Sequence, residues 1–325
     1  MKKVQNLLLV VFVAFLILYF GMPVVSYGFT DFALALIVLI ALWTLLNQNF
    51  ISRPAPQQIN FQFKSSGVKM PGMIILILGL YITLLPMLTS LTVLRSKDYR
   101  DLIGTVEVGQ NLADHMAPIS IEKIRVVDQA LANLLGDKVL GAQPALGSQV
   151  RLGTFNIQKV GKELYWVAPL LHSGFFKWNK NSQGTPGYVM VNATNERDVR
   201  LVEEVNGKKI RIKYQSEAYF FSNLERHIYF SGYFNCGLTD YSFEVDDDGH
   251  PYWVVTKYKK KVGFSGDDAV GVIVVDCETG AIKEYPIASA PAWIDRIQPA
   301  NFIEKQLNDW GEYVNGYWNF SNENK

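Results

Sequence analysis

Apolar residues dominate the first 94 positions and then give way to short alternating runs. Residues 4–25 hold no charged side chain over 22 positions, which as a helix spans roughly 33 Å, about the hydrocarbon thickness of a bilayer. Residues 29–46 form a second run with Asp31 at its outer end. Residues 73–94 form a third, uncharged and interrupted by Gly79 and Pro86 as membrane helices tolerate. The pattern predicts a three-helix transmembrane region over 1–94. A cleaved signal peptide is the competing reading of the first run, because Lys2 and Lys3 precede it; the run is long for that role and no A-x-A-like site follows. The intervening 47–72 segment mixes Pro54, Pro56, four glutamines, Phe61 and Phe63, and reads as a solvated linker at the membrane surface.

Beyond a connector at 95–119 the pattern becomes that of an α+β domain. Over 126–135 the helical period puts Val127, Leu131, Leu134 and Leu135 on one face, with Gly136 as a natural stop. Ser222-Asn-Leu-Glu225 has the capping-box form and predicts a second helix to about Ser231. Asn206-Gly207 predicts a hairpin between 199–205 and 208–214, and Asp248-Gly249 another between 241–245 and 252–256. Alternation along 210–214 gives a strand one wet and one buried face.

Self-similarity organises these elements. Tyr165-Trp166-Val167 returns 87 residues later as Tyr252-Trp253-Val254. Downstream of the first copy comes Gly187-Tyr-Val-Met-Val-Asn192-Ala-Thr194, and of the second Gly271-Val-Ile-Val-Val-Asp276-Cys-Glu-Thr279-Gly280. Each is an apolar strand running into a turn whose polar side chains can bond their own backbone. The domain is thus expected as two helix-plus-antiparallel-sheet repeats, 120–205 and 206–290, drifted apart in loop length.

A helix, a hairpin leading to Tyr-Trp-Val, and a last strand ending in Val275-Asp276-x-x-Thr279-Gly280 resemble the PepSY domain, here in tandem. The first copy departs from that pattern, with Asn192 for the aspartate and no glycine at the turn. The resemblance covers residues 120–290 in architecture and rests on a short motif. It implies a small cystatin-like α+β module of exported or membrane-anchored bacterial envelope proteins, serving regulation, inhibition or protein binding. It brings no catalytic residues with it.

The remaining 291–325 predict an amphipathic helix and tail. Pro299 opens the helix, and Ile303, Leu307, Trp310 and Val314 form a stripe expected to pack on the sheet.

Charge divides the chain further. Its 325 residues carry 31 basic and 30 acidic side chains, a net +1, but 1–94 contribute +4 and 95–325 contribute −3. With 49% hydrophobic residues and two cysteines, the composition excludes a disordered chain, a collagen, a disulfide scaffold and a strongly basic nucleic-acid binder. Lys2, Lys3, Arg53, Lys64 and Lys69 flank one side of the spans, against Arg95, Lys97 and Arg100 on the other. The excess predicts a multi-pass protein of the cell membrane with a cytoplasmic N-terminus and an extracytoplasmic C-terminal domain.

Candidate chemistry is sparse. Asp246-Asp247-Asp248-Gly249 has its glycine too early for a calcium loop, and Lys257 stands at the twelfth position, so a solvated turn is expected. Gly266-Asp267-Asp268 reads as a loop that could meet that turn in space. His115, His172, His227 and His250 lack zinc-ligand spacing, and no G-x-S-x-G occurs. Cys236 and Cys277 read as buried thiols, with a disulfide as the alternative. No catalytic residue, metal site or cofactor is assigned. The aromatic run Phe175-Phe176-Lys177-Trp178 is the candidate binding surface.

The expected function is binding or regulation at the cell envelope, with the bilayer and a protein partner or second copy as partners and no nucleic acid. The alternative is a membrane-anchored enzyme whose site gathers dispersed acidic and histidine residues. A pore or transporter subunit is third, because Asp31 is the only acid in the spans.

Overall fold

In the computed structural model, which describes residues 1–47, 69–106, 121 and 124–320, the three apolar runs are helices. α1 covers Lys2–Leu16 and continues as one π-helical turn to Gly21. α2 (Asp31–Asn47) packs against both α1 and α3 (Lys69–Thr89). Lys2–Gly21 and Met70–Thr89 are long and apolar enough to cross a membrane, whereas α2 is shorter, at 17 residues. The linker reading of 47–72 falls almost wholly outside the described residues, as do most of the connector and His115.

The third run was expected to stay helical to 94 but stops at Thr89. The backbone turns extended at Leu91 before α4 (Thr92–Arg100) begins. At the break the Ser90 N–H still donates to Pro86 O of α3, while its hydroxyl is engaged by the domain.

The domain contains two antiparallel sheets. In the first, β2 (Asn156–Val160), β3 (Glu163–His172), β4 (Tyr188–Asn192) and β5 (Val199–Val202) form a meander, with β1 (Val150–Leu152) paired to the far end of β3. In the second, β8 (Gly237–Val245), β9 (Pro251–Val262), β10 (Ser265–Asp276) and β11 (Ile282–Pro286) form another meander. A short hairpin of β6 (Glu204–Val205) and β7 (Lys208–Lys209) separates them. Asn206 and Gly207 take φ of +51° and +75°, as a two-residue turn of this hand requires.

Helices fill the layers. α5 (Gln129–Gly141), followed by the single turn α6 (Pro144–Gly147), packs Ala132 and Leu140 on Trp166, Ala168, Val189 and Val191 of the first sheet. The opposite face of that sheet (Tyr165, Val167, Met190) meets the second sheet (Phe243, Trp253, Ile273), together with Leu224 and Ile228 of the helix Leu224–Phe230. The outer face of the second sheet (Val254, Val272, Val274) is covered by Ile294 and the surrounding loop.

Four expectations of the domain need correction. The strand expected over 208–214 ends at Lys209, beyond which that stretch forms only an isolated bridge of Ile212 to Thr185. Gly136 lies inside α5 rather than ending it and serves close packing, since a Cβ there would meet Phe155 at 2.7 Å, and Leu134 is exposed. The second helix is capped by Asn223, whose side chain accepts from Arg226 N–H, not by Ser222. The C-terminal helix (Ala300–Glu312) exposes Ile303 and Leu307 and buries Phe302, Gln306 and Asp309. Its inner face is chosen by polar bonds as well as packing: Gln306 Nε2 donates to the Asp267 carbonyl at 3.1 Å, and Phe302 meets the Tyr258 ring at 5.3 Å.

The domain is seated directly on the helix ends. Val25 N–H donates to the Phe234 carbonyl (2.8 Å), Tyr229 OH to Pro23 O (3.0 Å) and Arg226 Nε to Tyr19 O (3.2 Å). The β9–β10 hairpin tip inserts Phe264 between Tyr27 and Tyr81, each at 5.3 Å. Gly263 at this tip has φ +62°, and an added Cβ would strike Thr89 Oγ1 at 2.5 Å, so the close approach depends on glycine.

Candidate functional site

The candidate aromatic run folds as a short helix, α7 (Phe175–Lys180). β3 ends at His172, Ser173 N–H donates to the Gln149 carbonyl, and Gly174 at φ +100° turns the chain. Gly174 O then accepts from both Lys177 and Trp178 N–H, which starts the helix. Phe175 and Phe176 project outward, Phe176 at 78% exposure, while Trp178 is buried at 9% beneath them. Of the three candidates, two form the surface and the third supports it.

A second segment completes the cluster. Tyr219 packs edge-on against Phe175 at 5.1 Å and lies 5.5 Å from Trp178, and Phe220 lies 5.6 Å from Trp178. Phe220 sits at φ +52°, a left-handed conformation that costs a phenylalanine about 1–2 kcal/mol. Its ring contact with Trp178 and the Arg226 Nη1 bond to its carbonyl (2.8 Å) hold it there. Tyr219 and Phe220 belong to an aromatic-rich stretch of the sequence, but only the fold brings them to α7. Lys177 and Lys180 lie on the same short helix.

The acidic and histidine groups are dispersed. The Asp246 carboxylate accepts from Asp248 and His250 N–H, and Asp276 accepts from Glu278 and Thr279 N–H, so both organise turns. His250 Nε2 lies 2.9 Å from Asp276 Oδ2, and this bond holds the His250 pKa up. Burial pushes Asp276 up, but the bonds from His250 and Thr279 together outweigh it and hold the carboxyl at about 2. The Asp246–Asp248 turn and Asp267 do not meet: they lie at opposite ends of β9, where Asp267 pairs with Lys260 at 2.8 Å. Among the described residues no group of three or more His, Cys, Asp or Glu side chains could hold a metal ion. Cys236 and Cys277 are free and buried. His227 Nε2 lies 2.7 Å from the Gly280 carbonyl. His172 is fully enclosed, and burial lowers its pKa to about 4.

One buried carboxyl stands out. Burial raises Glu244 to about 7, against the lowering effect of bonds from Ser242 Oγ (2.7 Å) and Asp295 N–H (3.0 Å). A cleft of about 330 Å³ beside it is lined by Thr239, Asp240, Asp295 and Arg296. Both Glu244 oxygens are already engaged, and the residue is only 1% exposed. A general acid must reach the group that it protonates; Glu244 instead fastens the 290–297 loop over the second sheet. Strand alternation in the sequence puts Glu244 opposite Phe243 and Val245, on a face that reads as wet until that loop covers it.

No protein-family model, no curated protein and no solved structure matches this chain.

Proposed function

We propose that this chain is a three-span membrane protein with a cytoplasmic N-terminus that presents its α+β domain on the outer side, where it binds or regulates another protein of the cell envelope. The observation carrying this reading is the exposed pair Phe175–Phe176, edge-to-face at 5.7 Å with Phe175 against buried Trp178 at 5.8 Å, on a domain bonded to the helix ends. A large exposed aromatic pair supported by a rigid base is suited to filling a pocket on a partner.

The domain reads as one plan built twice, in the PepSY manner. Tyr165 pairs with Asn192 and Tyr252 with Asp276, at matching places in β3–β4 and β9–β10. Trp166 Nε1 donates to Val127 O, and Val127 N–H to Ala193 O; Trp253 Nε1 donates to Tyr214 O, and Tyr214 N–H to Cys277 O. These corresponding bonds support a duplication, and a helix followed by a four-stranded meander supports the PepSY resemblance.

The enzyme reading draws on the cleft lined by Asp240, Asp295 and Arg296, where Arg296 Nη1 lies 3.5 Å from Asp240 Oδ1 and so already pairs one of its two carboxylates. A photo-crosslinking residue placed at position 176 in intact cells tests the binding reading. A discrete protein adduct that disappears with Phe175→Asp is expected; no adduct from 176 in cells expressing the folded chain contradicts it.

A further inference from the structure

A second exposed aromatic patch lies next to the end of α1. Phe221, Phe230 and Phe234 are 58%, 46% and 43% exposed. Their rings form a continuous chain: Tyr19 meets Phe221 at 6.0 Å, Phe221 meets Phe230 at 5.7 Å, and Tyr229 touches both Phe230 (5.3 Å) and Phe234 (6.2 Å). The bonds from Val25 N–H to Phe234 O and from Tyr229 OH to Pro23 O fix this patch at the level where α1 ends.

We propose that Phe221, Phe230 and Phe234 rest in the headgroup–acyl boundary of the bilayer that α1 enters, so that the domain lies on the lipid surface instead of standing clear of it. The inference rests on the reading of α1 as a membrane span. Its physical basis is continuity: the patch extends the lipid-facing wall of α1, whose Phe20 is itself exposed. A protein partner on these rings would have to share that wall with lipid, whereas a bilayer covers both together.

Arg226 marks the polar limit of the patch. Its guanidinium lies 4.3 Å over Tyr19 and 6.0 Å over Phe20, and donates to the carbonyls of Tyr19 and Phe220. A cation satisfied by backbone carbonyls and ring faces, just beside exposed phenylalanines, matches the arrangement of charge and aromatic groups at a membrane interface. Exposed phenylalanine clusters of this kind are rare on surfaces that face only water.

The test uses the unaltered full chain, reconstituted without other proteins into phosphatidylcholine vesicles containing a phosphatidylcholine with a photoactivatable carbene source high on its acyl chain. After irradiation, mass spectrometry maps the lipid adducts. Adducts are expected on peptides spanning 219–234 as well as on α1 and α3, and not on the β2–β3 turn at 160–163. Adducts on α1 and α3 with none on 219–234 would overturn the lipid seating while leaving the spans intact. Absence of adducts from α1 and α3 would overturn the membrane reading itself, and the seating with it.

Discussion

Ser90 and Phe264 join the end of α3 to the tip of the β9–β10 hairpin: Phe264 N–H donates to Ser90 Oγ at 2.7 Å. The same hydroxyl donates to the Val262 carbonyl at 3.0 Å, so one side chain satisfies two backbone groups of a tight turn. Ser90→Ala removes both bonds and leaves those groups without their partner. The expected cost is about 1–3 kcal/mol, read as easier opening of the hairpin tip in hydrogen exchange at Phe264. Unchanged protection there would mean that the bonds contribute nothing to holding the domain.

Glu244 gives the domain a characteristic pH dependence. Its folded pKa of about 7 lies above the usual 4.5, so between those values the folded chain binds the proton more tightly than the unfolded one. Stability from this group is therefore greatest in acid and falls as the pH rises from about 4.5 to about 7, by about 3 kcal/mol. Glu244→Gln keeps an acceptor for Asp295 N–H without the charge. Denaturant unfolding should find the variant more stable than the parent at pH 8 and nearly equal at pH 5. The reverse order would contradict a buried carboxyl raised by desolvation.

Trp166 and Trp253 each bridge a strand to the segment leading toward a helix, through indole bonds of 2.9 Å to Val127 O and Tyr214 O. Trp166→Phe takes the indole donor from the buried Val127 carbonyl and Trp253→Phe from the partly buried Tyr214 carbonyl, so each should cost about 1–3 kcal/mol. Similar losses in chemical denaturation are expected if the two halves use the residue alike. A large loss at one and none at the other would separate their roles.

The C-terminal helix distinguishes a sequence stripe from an observed face. Phe302 is buried against Tyr258 while Ile303 is exposed. Phe302→Ala should therefore lower stability by about 3–5 kcal/mol, and Ile303→Glu should change it by less than about 0.5 kcal/mol. Thermal unfolding of the two variants would reverse this order if Ile303 faced the sheet.

The parts of this architecture that depend on local pattern were legible in the sequence. Apolar runs with no charge but Asp31 marked the apolar helices, Asn206-Gly207 marked its turn, and the two Tyr-Trp-Val triplets marked the central strands β3 and β9. The parts that depend on what covers a surface were not. Leu134 and Ile303 satisfy helical periodicity, yet no element among the described residues packs over them, while Gln306 and Glu244 are buried because distant segments supply their hydrogen-bond partners. Trp178 likewise could be recognised as aromatic but not as the base of the cluster, since Tyr219 and Phe220 reach it from 41 and 42 residues away in the chain.

The most direct measurement is the side of the membrane on which the domain lies. Single cysteines at Lys2 and at Lys162, the latter exposed in the β2–β3 turn, can be labelled with a membrane-impermeant maleimide; the native thiols are buried. Labelling at 162 in intact cells, with labelling at 2 only in inside-out vesicles, is the expected result. Labelling at 162 only in inside-out vesicles would contradict an outward-facing domain.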